Sequence, residues 1–493
     1  MIRDTFEKLK QKADIRQNLI QLRSELKEGH NKTALLYQIG TDYDIFEDFL
    51  KHEDAKVRKN TALIMGELGI PAFLDKLIQA YRSETQLFVR SSYLTALKGF
   101  HYQKLIPELK EKLSVLSTMN QDETNKKHIN EEIRTLSELI ISAEGIRQHI
   151  FTGFQVPSRL VLLTNRNFIK ITMDQIKDES AKEFNAGVIV KTKDINAILP
   201  IRTYSELLFM QDDLKTCSCD ISKAAESFAK SKLLEFIKAR HDGGAPYYFR
   251  IELKSKADLD KKSAFAKKLG GEIERLTGRQ LINSTSNYEF EIRLIENKEG
   301  NYNILLKLYT LKDERFSYRK NAIATSIQPV NAALIAALAK DYLMEGAQIL
   351  DPFCGVGTML IERNKLVRAN TIYGLDIYSN AIEKAKENAK AAHAIIHYIN
   401  RDFFDFKHEY LFDEIFTNMP RIMGHKEERE IFDLYRRFFQ KAKEHLKKNG
   451  IMILYSHNPE YMKKLLNPRE YRLEQEYEIS KKEKAYLYII RSI

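Results

Sequence analysis

Cysteine is scarce in the 493-residue chain, with Cys217, Cys219 and Cys354 alone. Three thiols at that spacing exclude a disulfide framework and a cysteine-based zinc site. Long hydrophobic runs are also missing: no stretch of about 18 apolar residues occurs, so no transmembrane helix is expected. The opening residues, Met-Ile-Arg-Asp-Thr-Phe-Glu-Lys-Leu-Lys, lack the apolar core of a secretory signal, and a cytoplasmic location is expected.

What the chain does have is charge. Lys and Arg outnumber Asp and Glu by 79 to 68, a net charge of +11, while hydrophobic residues make up 43%. The composition is that of a soluble globular protein, and the length exceeds what one core organises, so three or four domains are expected. Most of the positive excess, about +7, lies between residues 151 and 330 when charges are counted by segment. A basic middle suits a phosphate backbone; the alternative is a lysine-rich solvated surface.

Apolar residues recur at spacings of three and four through residues 1–145, which predicts helix almost throughout. Segment 54–69 is followed about 32 residues later by 87–98, so that Val57-Arg58 and Val89-Arg90 take matching places, and 31–40 is a more divergent copy. The pattern resembles HEAT-like helical repeats, with an ordinary helical bundle as the alternative. Either implies a scaffold or docking module for RNA or a protein partner.

Near residue 150 the period changes. Residues 158–163, 168–172 and 187–191 read as short strands, a small β or α/β unit over 146–205. From 206 to 315 the expected order is helix (224–238), strand (247–254), helix (261–275) and a hairpin (288–295 and 303–309). The strand Phe249-Arg-Ile-Glu-Leu, the basic helix running into glycine and the polar Asn283-Ser-Thr-Ser-Asn287 together resemble a THUMP domain. That resemblance implies a small RNA-binding module that recognises the acceptor end of tRNA and is fused to RNA-modifying enzymes.

The last unit, 316–493, alternates: strand 347–350, helix from Thr358, strand 371–375, helix 379–391, strands 397–400 and 414–417, helix 427–448, strand 451–455, and a closing pair at 471–479 and 485–490. Repeated βα units predict a doubly wound α/β sheet that binds its ligand at the carboxyl ends of the strands. Acids fall at three of those ends. Asp376, followed by Ile377, can accept from both hydroxyls of a ribose, and Asp402 can accept from an adenine amino group while Phe403 adds apolar contact. Asp351 opens the stretch Asp351-Pro-Phe-Cys-Gly-Val-Gly-Thr-Met-Leu-Ile-Glu362. There Gly355 and Gly357 allow backbone N–H groups to approach a ligand at a helix N-terminus. Any one acid is ordinarily a cap or loop residue; three together with the glycine turn point to a nucleoside cofactor.

The Asp351 to Glu362 stretch closely resembles the motif of THUMP-linked nucleic-acid N-methyltransferases, departing at Val356, where the family has a small polar residue. Over 206–493 the resemblance implies a Rossmann-like methyltransferase domain with S-adenosylmethionine as cofactor and no metal. The cofactor contacts it implies are Gln328, Pro329, Asp351, Phe353, Gly355, Gly357, Thr358, Asp376, Ile377, Asp402 and Phe403. The resemblance also implies that the Ser-x-x-Pro helix, with Pro329 just inside its start, closes over the cofactor. Cys354 lies in the cofactor loop and is given no catalytic role.

The fourth strand end, Phe416-Thr-Asn-Met-Pro-Arg-Ile-Met-Gly424, is where this family positions a planar exocyclic amine. Asn418, Met419 and Pro420 fit that catalytic segment. Arg421 does not, since the family carries Phe or Tyr there. Arg421 and Arg319 are expected to meet the substrate, a guanidinium being able to stack on a base or bind a phosphate. The expected activity is methylation of guanine N2 in tRNA, with rRNA next. Two other readings stand beside it: an RNA-binding or assembly protein that has lost catalysis, and a glutamine-amide or DNA-adenine methyltransferase.

Overall fold

The computed structural model describes all residues except 1, 41–42, 119–124, 145–148, 178–179 and 422–427. Among the described residues the first 144 form helices and turns without a strand. The matching segments become helices Ala55–Leu68 and Leu87–Leu97, packed so closely that a Cβ on Gly66 would lie 2.5 Å from Ala96 Cα. Their arginines turn inward. Arg58 pairs with Glu84 at 2.8 Å and Arg90 with Glu132 at 3.0 Å. The hydroxyls of Tyr93 and Tyr81 donate to those same two carboxylates. The repeated Val-Arg pair is therefore an internal brace, with its charge satisfied inside the helical stack.

The middle of the chain builds one sheet from β1 (Ser158–Thr164), β2 (Lys182–Phe184), β3 (Gly187–Thr192), β4 (Tyr204–Met210), β5 (Thr216–Cys217), β6 (Tyr247–Lys254), β7 (Leu281–Asn283), β8 (Phe290–Glu296) and β9 (Tyr302–Leu308). Its order is β2-β3-β1-β4-β9-β8-β6-β7, with β5 also on β9. The division expected between 205 and 206 runs through β4, whose Phe209 pairs with Leu306 of β9, so residues on both sides share this sheet.

Two local expectations are corrected. Residues 168–172 are not a strand: Phe168 precedes the helix Ile169–Met173, because the Asn165 side chain accepts from the Asn167 N–H at 3.0 Å and turns the chain. The single helix expected over 224–238 is two, Ile221–Lys230 and Leu233–Lys238. Between them Asp213 accepts the Lys232 N–H at 2.7 Å, a side-chain bond that competes with helix continuation.

The C-terminal sheet contains β10 (Gln348–Asp351), β11 (Thr371–Asp376), β12 (His397–Asn400), β13 (Phe412–Asn418), β14 (Leu446–Ser456), β15 (Tyr471–Ser480) and β16 (Ala485–Ser492). The order is β12-β11-β10-β13-β14-β16-β15, all parallel except that β16 runs against both β14 and β15. Ile415, Phe416 and the run 451–454 are buried, as strands covered by helices on both faces require. The order reverses at β10, which opens a crevice at the carboxyl ends beside it. The helix expected over 427–448 is Glu428–Ala442, residue 427 lying outside the described residues. No described helix is long and apolar enough to cross a membrane.

One carboxylate joins the two sheets. Glu362, buried in the helix Thr358–Leu366, accepts from Arg202 Nε at 2.7 Å, Arg202 Nη2 at 2.6 Å and the Tyr318 hydroxyl at 2.6 Å. Asn165 and Asn167 add a second seam by donating to the Ile479 and Glu478 carbonyls at 2.8 and 3.0 Å. Removing one partner of a buried pair leaves the other charge uncompensated. Arg202→Ala should therefore cost about 3 kcal/mol in urea unfolding, and a loss below about 0.5 kcal/mol would show that the junction does not depend on the pair.

Candidate active site

The carboxyl ends of β10, β11, β12, β13 and β14 border one cavity of about 660 Å³. Of the residues expected to meet a cofactor, Gln328, Phe353, Gly355, Thr358, Asp376, Ile377, Asp402 and Phe403 line it, and so do Asn418, Met419, Pro420 and Arg421. Ile422, Met423 and Gly424 of the expected substrate segment lie outside the described residues.

Pro329, Asp351, Gly357 and Arg319 do not line it, each for a visible reason. Pro329 is buried as the first residue of the helix Pro329–Leu338. Asp351 lies beneath the floor, 1% exposed, where it accepts from Thr417 Oγ1 at 2.5 Å and from the Phe353 N–H at 3.0 Å, tying the end of β10 to β13. Gly357, at φ 81°, faces Tyr398: a Cβ there would stand 2.0 Å from the tyrosine hydroxyl oxygen. Arg319 donates to the Ile327 carbonyl at 3.1 Å and so holds the 323–328 segment from behind the lining.

The glycine turn also spends its amides differently from the expectation. Gly355 N–H donates to Asp376 Oδ2 at 3.0 Å, and Gly357 N–H donates to the Cys354 carbonyl at 2.8 Å. Asp376 Oδ1 accepts from the Tyr378 N–H at 2.9 Å. Asp376 thus locks the turn to β11. Beyond it Ile377 and Tyr378, 56% and 59% exposed, form an apolar rim. Asp402 caps the turn Phe403–Asp405 by accepting the Phe404 N–H at 3.0 Å. Burial pushes the Cys354 thiol well above its ordinary pKa, which leaves no nucleophilic thiolate in the loop.

Further residues complete the lining, among them Ser326 of the expected Ser-x-x-Pro segment. The segment 323–327 forms one wall. It is positioned by Asn388, whose Oδ1 accepts from the Asn321 N–H at 2.9 Å and whose Nδ2 donates to the carbonyls of Asn321 and Val356 at 3.0 and 3.1 Å. Tyr455 and His457, alternate residues at the carboxyl end of β14, form another part, with Leu434, Arg437 and Glu483. The rule that ligands meet strand ends could have found Tyr455 and His457; the others come from distant helices and turns.

At the end of β13, Met419 N–H donates to the Tyr455 carbonyl at 2.8 Å, and the Tyr435 hydroxyl donates to the Pro420 carbonyl at 3.0 Å. Asn418 Oδ1 is buried and has no protein partner among the described residues. An unpaired acceptor of this kind costs about 1–3 kcal/mol unless a ligand N–H or O–H meets it.

Residues 317–484 match a family described as UPF0020, RMKL-like, methyltransferase domain. Over those residues the chain is similar to a methyltransferase domain. Its fold is similar to that of TrmN from Thermus thermophilus, at 18% identity over 68% of this chain and 99% of that one, with a TM-score of 0.52. It is also similar to a Listeria monocytogenes protein described as a predicted N6-adenine-specific DNA methylase, at 14% identity over 68% and 96% of the two chains and a TM-score of 0.51. SMU.472, a methyltransferase crystallised with S-adenosylhomocysteine, matches at 13% identity over 68% and 97%, with a TM-score of 0.52. At these identities the likeness is one of fold. It extends beyond the methyltransferase sheet, since 68% of the chain is a larger share than residues 317–484 make up.

Methyltransferases of this class take their methyl group from S-adenosylmethionine, and the cavity fits that group. An acid stands at the end of β11, an apolar rim follows it, and Phe353 and Phe403 lie edge to face 6.1 Å apart beside it.

The floor carries a pH dependence. Burial raises Asp351 from an ordinary carboxyl value to about 7, so the fold favours its neutral form. A raised acid contributes stability that is full below its unfolded pKa and lost as pH climbs through the folded one, here from about 4 to about 7. The urea midpoint of the protein should therefore fall as pH is raised from 5 to 7.5, and Asp351→Asn should flatten that fall; an unchanged slope in the variant would remove Asp351 as its source.

Proposed function

We propose that this protein methylates an exocyclic amine of a nucleic-acid base in RNA, with guanine N2 of tRNA the first substrate and rRNA the second. The observation that carries the reading is the buried, unpartnered Oδ1 of Asn418 at the end of β13, in the same cavity as the acids at the ends of β11 and β12. An amide oxygen accepts one hydrogen of a planar amine and turns its remaining face toward the donor. Such orientation supplies much of what a methyl transfer to nitrogen needs.

In this mechanism Asp376 would accept from the ribose hydroxyls of S-adenosylmethionine, Asp402 would accept from its adenine amino group, and Ile377, Phe353 and Phe403 would give apolar contact. When bound, the cofactor supplies an electrophilic methyl group on a sulfonium sulfur. Asn418 and the free lone pair of the Pro420 carbonyl hold the amine, and Met419 closes the floor against water. Arg421 stands at the place of the family's aromatic residue, where its guanidinium stacks on the base or meets a flanking phosphate. The positive excess of residues 151–330 supports RNA as the substrate, and the helical N-terminal unit is a docking surface for RNA or a protein partner.

Mass spectrometry of nucleosides from tRNA, rRNA and DNA incubated with the protein should show N2-methylguanosine in tRNA. N6-methyladenine in DNA would move the protein to the DNA-adenine class, and no methylated nucleoside with normal cofactor binding would make it an RNA-binding relative without catalysis. Asn418→Ala should lower transfer at least about 100-fold while calorimetric titration finds cofactor affinity unchanged; Asp376→Ala should abolish that affinity.

A further inference from the structure

Methylation of an amine leaves one proton too many on nitrogen, and the cavity holds a group placed to take it. Asn418 of β13 pairs with Tyr455 of β14, and just past those two strand ends Pro420 and His457 line the same cavity. Side chains two apart share a face of a strand. Accordingly Tyr455 and His457 both line the cavity, their rings 5.1 Å apart. His457 Nδ1 lies 3.1 Å from the Glu483 carbonyl oxygen, an atom that can only accept. Nδ1 must therefore carry the hydrogen, and in the neutral ring Nε2 is left with its lone pair. No described residue bonds to that Nε2.

Resting on the reading of the protein as an amine methyltransferase, we propose that His457 is the proton acceptor of the reaction, with Nε2 receiving the surplus proton of the methylated amine. The balance is simple. The amine lone pair becomes the new nitrogen–carbon bond, and the carbon–sulfur bonding pair stays on sulfur. The nitrogen then keeps the pair of one N–H bond as the proton first held by the Pro420 carbonyl passes to Nε2. The resulting imidazolium returns the proton to solvent through the cavity mouth.

The surroundings favour a base that is free at neutral pH. Burial is the largest influence and lowers the pKa of His457; the carbonyl bond from Glu483 opposes it, the positive charge of Arg421 on the β13 side lowers it further, and the Glu483 carboxylate raises it. Tyr455 is itself pushed up to about 12, mainly by burial, and stays neutral. Arg421 thus has a role that an aromatic residue could not fill: it repels a proton from His457 until the amine delivers one.

The test uses the full-length protein, S-adenosylmethionine and unfractionated tRNA. Single-turnover rates of the wild type should fall on the acid side with an apparent pKa below the ordinary imidazole value of about 6.5. His457→Gln should lose that acid limb and about 100-fold in rate, with cofactor affinity and melting temperature retained, and imidazole in the buffer should restore part of the rate to His457→Gly. Arg421→Gln should move the limb to higher pH. A readout independent of turnover is the histidine ¹⁵N spectrum, in which His457 should be the Nδ1–H tautomer at pH 7.5. Wild-type rate and acid limb in His457→Gln, or an Nε2–H tautomer, would overturn the proton-acceptor role while leaving amine methylation in place. No methylated amine from the wild type on any nucleic acid would overturn both.

Discussion

Two consecutive residues of opposite charge, Glu362 and Arg363, hold this part of the molecule together. Both are buried in the helix that follows the glycine turn, and they face different partners. Arg363 meets Glu414 of β13 in a two-pronged pair at 2.9 and 2.6 Å, and also donates to the Met344 carbonyl at 2.8 Å. The other oxygen bond closes the ring, as Met344 N–H donates to Glu414 at 2.8 Å. Glu362 reaches the opposite way, to Arg202 and Tyr318. Bidentate geometry and added backbone bonds are what make such desolvated pairs tolerable. Through them the turn, the strand bearing Asn418 and the middle sheet are set relative to one another.

From that frame the cavity follows. Glu414 sits near the start of β13 and Asn418 at its end, so fixing the strand from below fixes the amide oxygen above it. Asp351 adds a cross-link from β10 to Thr417, immediately before Asn418. The glycine turn is fastened by Asp376, whose carboxylate serves the protein's own amides as well as the crevice. Gly357 is required by the approach of Tyr398, which also lies against Gly374: a Cβ on that glycine would come within 2.8 Å of the ring. Glycine here makes room for an aromatic side chain beneath the loop.

The mouth of the cavity is more polar than its floor. Arg421, Arg437, His457 and Glu483 gather there, with the Arg437 guanidinium 3.8 Å from the centre of the Phe404 ring. A cationic group stacked on an aromatic face is a surface suited to bases as well as phosphates. Arg421, which breaks the pattern of the resembling family, bears electrostatically on Tyr455 and His457 at the end of the neighbouring strand.

Local chemistry made much of this legible without coordinates. Strand and helix periods located every strand of the C-terminal sheet, because buried parallel strands are short apolar runs closed by polar residues. The acids Asp376 and Asp402 announced the crevice because a strand end is where such a sheet exposes its ligands. Tertiary structure decided what no period carries. Residues 168–172 have strand composition, yet a side-chain turn at Asn165 makes 169–172 helical. The middle sheet crosses the expected boundary at 205 because β4 spans it, pairing with β1 on one side and, through Phe209 and Leu306, with β9 on the other. Asp351 and Gly357 belong to the recognised motif but lie under the floor. His457 and Glu483 carry no motif and line the cavity. Sequence determined which residues lie at strand ends, since that depends on neighbours in the chain; whether a side chain faces ligand or core depends on partners tens or hundreds of residues away.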